Sequence, residues 1–282
     1  MVTKFSKYIC IVSAVIGLFF CTQGEAFAET AFERVVKTGI IHCGYSVWYP
    51  ELTKDPNTGK LSGYDYDVMN AVAQVLGLKI EWTEEVGWGA AEQGLAAGRY
   101  DVSCNGFWGP PARTRGAFYS IPFVSHPLFI VTKTDLVGSD DDYRWLNDQG
   151  YKATVLRGTV HDVLTSTIFP KSQTIDAFEL SSDGNVLLDV SSGKVDFTIS
   201  NLTPVQRFLS QNPGQLKVID KPVFFAKGAF LLPNDDYRLK HMVDSALEFL
   251  IESGAVDKIM ERYMGDDKTQ WLSVRSENQR NK

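Results

Sequence analysis

The sequence predicts an α/β protein of two similar lobes, two α/β sheets joined by a two-strand hinge. Three observations carry this. Strand and helix signals alternate along the chain. One strand-entry pattern occurs twice: Ala97-Gly98-Arg99-Tyr100-Asp101-Val102 in one half is echoed by Ser192-Gly193-Lys194-Val195-Asp196-Phe197 in the other. Two extended apolar runs, Phe129 to Lys133 and Phe224 to Leu232, lie between the halves and read as outgoing and returning crossings.

The elements follow in order. Ala31 to Thr38 reads as a short helix, and Gly39-Ile40-Ile41-His42-Cys43-Gly44 as a strand. Asp55-Pro56-Asn57-Thr58-Gly59-Lys60 is a turn cluster. From Asp65 to Leu76 the apolar residues Val68, Met69, Val72, Val75 and Leu76 recur with helical spacing, and Gly77 stops the helix. Asp65 stands at its start and is read as the N-cap, not as a metal ligand or acid. Leu78 to Trp82 is the next strand, with Trp82 in the core. Glu92 to Ala97 ends a helix, and Tyr100 to Cys104 is a strand. This βαβα order predicts a parallel sheet covered by helices, with ligands at the carboxyl ends of its strands. Ser139 to Asp142 is a solvated loop, and the helices after Asp235 return to the first lobe. The expected organisation is therefore a leader at 1–28, lobe 1 at 29–131 plus 225–267, lobe 2 at 132–224 and a flexible polar tail at 268–282.

Composition limits the functions available. The 282 residues are 44% hydrophobic and carry 28 Lys+Arg against 34 Asp+Glu. An acidic chain without a basic block argues against nucleic-acid binding. A mean hydropathy of −0.12 excludes a multispan membrane protein. Lys4 and Lys7 precede an apolar run from Tyr8 to Cys21, and Ala26-Phe27-Ala28 follows. That is the pattern of a secretory signal cleaved after Ala28, which implies export into an oxidising compartment. Phe19 and Phe20 before Cys21 argue against a lipidation site. Cys10 and Cys21 would leave with the signal. Cys43 and Cys104 remain, either as one disulfide or as two small buried residues on strands.

Five motifs in register then carry a resemblance over nearly the whole chain after the leader. They are Gly59-Lys60-Leu61-Ser62-Gly63-Tyr64-Asp65-Tyr66-Asp67-Val68; Gly98-Arg99-Tyr100-Asp101-Val102, with Arg113 and Tyr119-Ser120-Ile121-Pro122-Phe123; Val155-Leu156-Arg157-Gly158-Thr159; Gly193-Lys194-Val195-Asp196-Phe197; and Glu252-Ser253-Gly254 through Glu261-Arg262-Tyr263-Met264-Gly265. Their order resembles the periplasmic solute-binding proteins of amino-acid ABC transporters, family 3. The resemblance implies the two-lobed type II periplasmic-binding-protein fold. It implies a monomer that closes on a small carboxylate-bearing organic solute and delivers it to a membrane ABC permease, without cofactor, metal or nucleic acid. A few relatives of this kind are enzymes, the cyclohexadienyl dehydratases. Such an enzyme needs a general acid in the cleft, and Ser200 to Gln206 holds no carboxylate.

The same resemblance nominates the ligand-binding residues. Arg113 stands where the family's carboxylate-binding Arg stands, and its planar guanidinium suits two parallel hydrogen bonds to a carboxylate. Arg115 reads as solvent-exposed. Trp48, Trp88 and Trp108 fall where the family lines its cleft, with Tyr45 and Gly106 beside them. Thr159 caps a helix or bonds the ligand, and Arg157 adds charge or points outward. Asn201 replaces the Asp that usually holds an α-ammonium, so the ligand either lacks that group or holds it by carbonyls and aromatic faces. His161 reads as a helix-surface residue. In this fold the strands of Cys43 and Cys104 are neighbours about 4.8 Å apart, so a disulfide is expected.

Overall fold

The computed structural model describes residues 29–177, 183–267 and 269–275; the expected leader lies outside them. Helix α1 (Ala31–Thr38) and strand β1 (Ile40–Tyr45) open lobe 1. A small hairpin, β2 (Thr53–Lys54) and β3 (Leu61–Ser62), precedes α2 (Tyr64–Leu76), β4 (Lys79–Glu85), α3 (Ala91–Ala96) and β5 (Val102–Phe107). A 3-10 turn at Pro111–Arg115 and β6 (Ala117–Tyr119) lead into β7 (Val124–Lys133). Lobe 2 follows: a 3-10 turn at Arg144–Leu146, β8 (Lys152–Val155), α4 (Val160–Ile168), β9 (Gln173–Asp176), α5 (Asp183–Ser191), β10 (Phe197–Ser200), α6 (Leu202–Gln211) and β11 (Leu216–Val218). Strand β12 (Phe224–Pro233) returns, and α7 (Tyr237–Glu252) and α8 (Ala255–Met264) complete lobe 1.

The strands run in the order β4-β1-β5-β12-β7-β10-β8-β9. Within lobe 1, β4, β1 and β5 are parallel; within lobe 2, β10, β8 and β9 are parallel. The crossings join them. Residues 224–228 of β12 pair antiparallel with residues 124–128 of β7. Past that ladder β12 pairs with β5 and β6, while β7 pairs with β10 and β11. Each long strand therefore serves both sheets.

Local sequence explains the elements. Thr30 and Glu33 form a reciprocal capping box at the start of α1, and Gly39 ends it in the left-handed conformation. The apolar stripe of α2 buries Val68, Met69 and Val72 completely, about 1.5–3 kcal/mol for each side chain. These pack with Ile41, Val102, Phe230, Leu247 and Met260. Lobe 2 has cores on both sides of its sheet, one around Leu128, Ala153, Phe169 and Phe197, the other around Val131, Leu187, Val195 and Val205. No helix among the described residues is long and apolar enough to cross a membrane.

The expected disulfide is present. Cys43 of β1 and Cys104 of β5 are bonded, with Cα atoms 5.6 Å apart, and both are fully buried in the lobe 1 core. Two expectations need correction. The cap of α2 is Gly63, and Asp65 lies inside the first turn with a different task, given below. The described part of the tail, 269–275, is not loose: Trp271 is buried in the lobe 1 core and donates to the Gly265 carbonyl at 2.8 Å. Leu272 and Ser125 exchange backbone hydrogen bonds. One large apolar ring in a polar segment was enough to anchor it.

Gly63 is required where it stands. Its φ is 127°, and a Cβ there would lie 2.3 Å from the Glu51 carbonyl oxygen. That oxygen accepts the Asp65 N–H at 2.9 Å, which ties the 48–52 loop to α2. Gly63→Ala is expected to cost roughly 2–4 kcal/mol from strain and clash together. Urea unfolding at an unchanged midpoint would contradict this.

Candidate functional site

A cavity opens between the lobes at the carboxyl ends of β5, β8 and β10, the place where open α/β sheets receive ligands. Lobe 1 contributes Trp48, Glu51, Trp88, Gly106, Phe107, Trp108 and Arg113. Lobe 2 contributes residues of β8 and β10 together with Thr159, His161 and Asn201. The wall is mostly aromatic and aliphatic, and its formal charges come from lobe 1.

Arg113 sits on the 3-10 turn after β5, where Pro110 and Pro111 set the backbone. Its Nε pairs with Glu92 of α3 at 2.7 Å, and its side chain is only 10% exposed. Its Nη2 donates to the Gly158 carbonyl of lobe 2 at 3.3 Å, and its guanidinium lies 5.4 Å from the Phe107 ring. Glu92 thus fixes the side of the guanidinium and leaves its terminal nitrogens directed at the cleft. Trp48 and Trp88 meet edge to face at 5.8 Å, and Trp88 meets Phe107 at 4.9 Å. Trp108 packs between His126 at 5.1 Å and His161 at 5.9 Å.

Asp65 holds the floor of the site. One carboxylate oxygen accepts the Gly106 N–H at 2.8 Å and lies 3.5 Å from Asn105 Nδ2. Asn105 in turn accepts from Ser46 N at 2.7 Å and donates to its carbonyl at 3.0 Å. Gly106 is pressed close: a Cβ would meet Asp65 Oδ1 at 3.1 Å and Phe123 at 3.2 Å. Burial pushes the Asp65 carboxyl up to about 7, against the opposing pull of its bonds to Gly106 and Asn105. His126 on β7 is buried, and burial lowers it to about 4. Neutral, it donates from Nδ1 to the Gln270 carbonyl at 3.1 Å, so its Nε2 accepts the Tyr64 hydroxyl at 3.0 Å.

These two groups oppose one another with pH. His126 is depressed below its unfolded value near 6.5, so its contribution is present above that pH and lost as pH falls toward 4. Asp65 is raised above 3.8, so its contribution is present at acid pH and lost as pH rises toward 7. Between about pH 4 and 6.5 their slopes cancel. His161 is likewise lowered to about 4 by burial, so the parent is expected to gain stability as pH rises from 4 to 6.5, and His126→Gln to gain roughly 3 kcal/mol less over the same range. Chemical unfolding at several pH values checks it, and equal slopes in the two proteins would refute it.

Seven of the residues nominated from sequence line the cavity together: Arg113, Trp48, Trp88, Trp108, Gly106, Thr159 and Asn201. Tyr45 does not. It lies on β1 with its ring edge-on to Trp82 at 6.0 Å and under Lys54, away from the cavity wall. Thr159 occupies the N-cap position of α4 but makes no side-chain cap bond; its hydroxyl donates to the Leu156 carbonyl at 2.7 Å. Arg157 points outward to Asp162 and Asp176. His161 is a cavity residue, not a helix-surface one. Asn201 is the N-cap residue of α6, again without a cap bond, and its Nδ2 is buried with no hydrogen-bond partner, as is Thr154 Oγ1. Sequence reading missed Glu51, a buried carboxylate on the lobe 1 wall. The lobes touch beyond the cavity too: Arg207 lies over the Tyr49 ring at 4.7 Å, and Thr203 donates to Gln270 Oε1 at 3.0 Å.

The family model for bacterial extracellular solute-binding proteins, family 3, matches residues 41–266. The chain belongs to this family. It is similar to the probable amino-acid-binding protein YxeM of Bacillus subtilis, with 25% identity over 94% of this chain and 98% of that protein. It is also similar to the cyclohexadienyl dehydratase of Pseudomonas aeruginosa, with 23% identity over 84% of this chain and 87% of the enzyme. A solved structure, a putative ABC-transporter binding component from Wolinella succinogenes complexed with lysine, superposes with a TM-score of 0.71 at 19% identity. It covers 82% of this chain and 98% of its own, which shows the shared fold. The family 3 assignment gives this chain a solute-binding role.

Proposed function

We propose that the protein is a monomeric periplasmic receptor, exported by its leader and cleaved after Ala28. It captures a small carboxylate-bearing organic solute, an amino acid or related organic anion, and passes it to a membrane ABC permease. The observation that carries this reading is Arg113, a nearly buried guanidinium aimed by Glu92 into a tryptophan-lined cavity between the lobes. A bidentate carboxylate contact is the chemistry such a group offers. Asn201 Nδ2 and Thr154 Oγ1 would close on the same solute from lobe 2. Strands β7 and β12 are the proposed hinge, with lobe 1 at 29–131 plus 225–267 and lobe 2 at 132–224, because they carry the chain between the sheets. Closure then presents one rigid surface to the permease. Three tryptophans on the wall make intrinsic fluorescence a direct readout. Titration across the amino acids and small organic acids is expected to give one saturable response; silence from the whole panel would favour an accessory protein that holds no solute.

Glu51 favours a second reading for separate testing. It puts in the cavity a carboxyl group that Ser200 to Gln206 does not supply, and a dehydratase is among the relatives. Phenylpyruvate release from prephenate would establish that reading. The binding reading expects none.

A further inference from the structure

We propose that Thr203 and Arg207, on one face of α6, are positioning residues for solute capture: they dock lobe 2 on lobe 1 outside the cavity and set how tightly every solute is held. This deepens the capture reading and rests on it.

The two residues are four apart on α6, so they share a helix face. The Thr203 hydroxyl donates to Gln270 Oε1 at 3.0 Å, and the Arg207 guanidinium lies 4.7 Å from the centre of the Tyr49 ring. Both partners belong to the lobe 1 side, and both are held there by bonds that do not involve lobe 2. Gln270 Nε2 donates to Asp267 Oδ2 at 2.9 Å, while Asp267 Oδ1 accepts the Thr269 N–H and hydroxyl at 2.9 and 2.7 Å. With its amide nitrogen committed to a carboxylate, Gln270 turns its oxygen to the arriving hydroxyl. The Gln270 carbonyl accepts His126 Nδ1 at 3.1 Å, and Leu272 pairs with Ser125. Both of those partners lie on β7 where it pairs with β12, so the receiving segment is tied to the proposed hinge itself. Tyr49 stands in the loop that Trp48 and Leu52 close by exchanging backbone hydrogen bonds at 2.7 Å.

Each end of this contact adjoins the cavity. Asn201 is the N-cap residue of α6, two positions before Thr203, and Trp48 is next to Tyr49; both line the cavity. Seating the α6 face therefore fixes Asn201 and Trp48 on opposite walls. Thr203 and Arg207 act on the closed arrangement and not on the chemistry of the solute. Apparent affinity scales with the closed fraction, so their contribution is one common factor for all solutes, whereas Arg113 discriminates among them.

The experiment titrates every amino acid and small organic acid of the fluorescence panel into the mature parent and its variants by calorimetry. Arg207→Ala and Tyr49→Leu are each expected to weaken every bound solute by roughly 3-fold, and the double variant by no more than either alone, because one contact is lost in all three. Thr203→Val is expected to cost roughly 5-fold. Tyr49→Phe returns the ring and is expected to rescue the loss seen in Tyr49→Leu. The rank order of solutes stays as in the parent, and the solute-free unfolding midpoints stay together. Parent affinity in Arg207→Ala and Thr203→Val would overturn the docking role and leave the Arg113 site standing. A changed rank order would overturn it too, since the residues would then be reading the solute. So would affinity losses matched by lower solute-free midpoints, which mark a structural role. If Thr203→Val does not fold, the cycle between the exposed Arg207 and Tyr49 decides. If no member of the panel binds the parent, the capture reading fails and this inference with it.

Discussion

Replacing Arg113 with alanine is expected to weaken binding of the cognate carboxylate solute by about 100-fold or more, read by calorimetry. Truncating one partner of a desolvated, hydrogen-bonded charge pair costs roughly 2–5 kcal/mol. Arg113 is nearly buried, so solvent screens little of that interaction. The loss has two parts: the missing fork, and Glu92 left beside the cavity without its cation, where it repels an incoming anion. Arg113→Lys separates them. It restores the charge without the planar fork, so it is expected to fall between parent and alanine. Both variants should still fold in the absence of solute, because Arg113 is outside the cores of either lobe, with Arg113→Ala unfolding at a lower midpoint since Glu92 loses its 2.7 Å partner. An Arg113→Ala protein that binds as tightly as the parent would remove the carboxylate anchor from this account.

Reducing the Cys43–Cys104 bond, or replacing both residues with alanine, is expected to destabilise lobe 1 by about 4 kcal/mol. The two cysteines are 61 residues apart in sequence. Closing a loop of that length removes chain entropy from the unfolded state worth about 4 kcal/mol. For a chain of this size that corresponds to a fall of roughly 10 °C in the unfolding midpoint. Double replacement with alanine adds a small cavity cost, since both side chains are fully buried between β1 and β5. The bond also staples the strands that lead to Ser46 and Gly106, so solute affinity in the folded double variant reports whether the floor keeps its register. Scanning calorimetry with and without reductant makes the measurement, and coincident midpoints would contradict it.

The legible parts of this protein were those with a local signature. The stripe Val68, Met69, Val72 declared a helix with one buried face, and the chain folded that way. Arg113 and the three tryptophans were nominated by the family resemblance, and they line the cavity at the strand ends where an α/β sheet opens. What stayed hidden depended on one-residue distinctions or on distant partners. Asp65 resembles a helix cap because acids favour that position. The helix begins one residue earlier, which turns its carboxylate inward to the Gly106 amide, 41 positions away. Tyr45 is next to Ser46, which bonds the floor residue Asn105, yet the ring packs on Trp82 instead. Glu51 reads as an ordinary loop acid after Pro50; only the paired bonds of Trp48 and Leu52 show that the loop folds onto the cavity. Trp271 did carry a signal, a bulky apolar ring in a polar tail, and its burial follows from the hydrophobic area it removes from water.

The central claim is that the inter-lobe cavity holds one small carboxylate-bearing solute through Arg113. Native mass spectrometry of the protein mixed with equimolar amino acids and organic acids, run side by side for the parent and Arg113→Ala, tests it most directly. The account predicts a single one-to-one carboxylate adduct on the parent, depleted in the variant. A parent protein that emerges bare from the mixture, or an adduct equally abundant in Arg113→Ala, would contradict it.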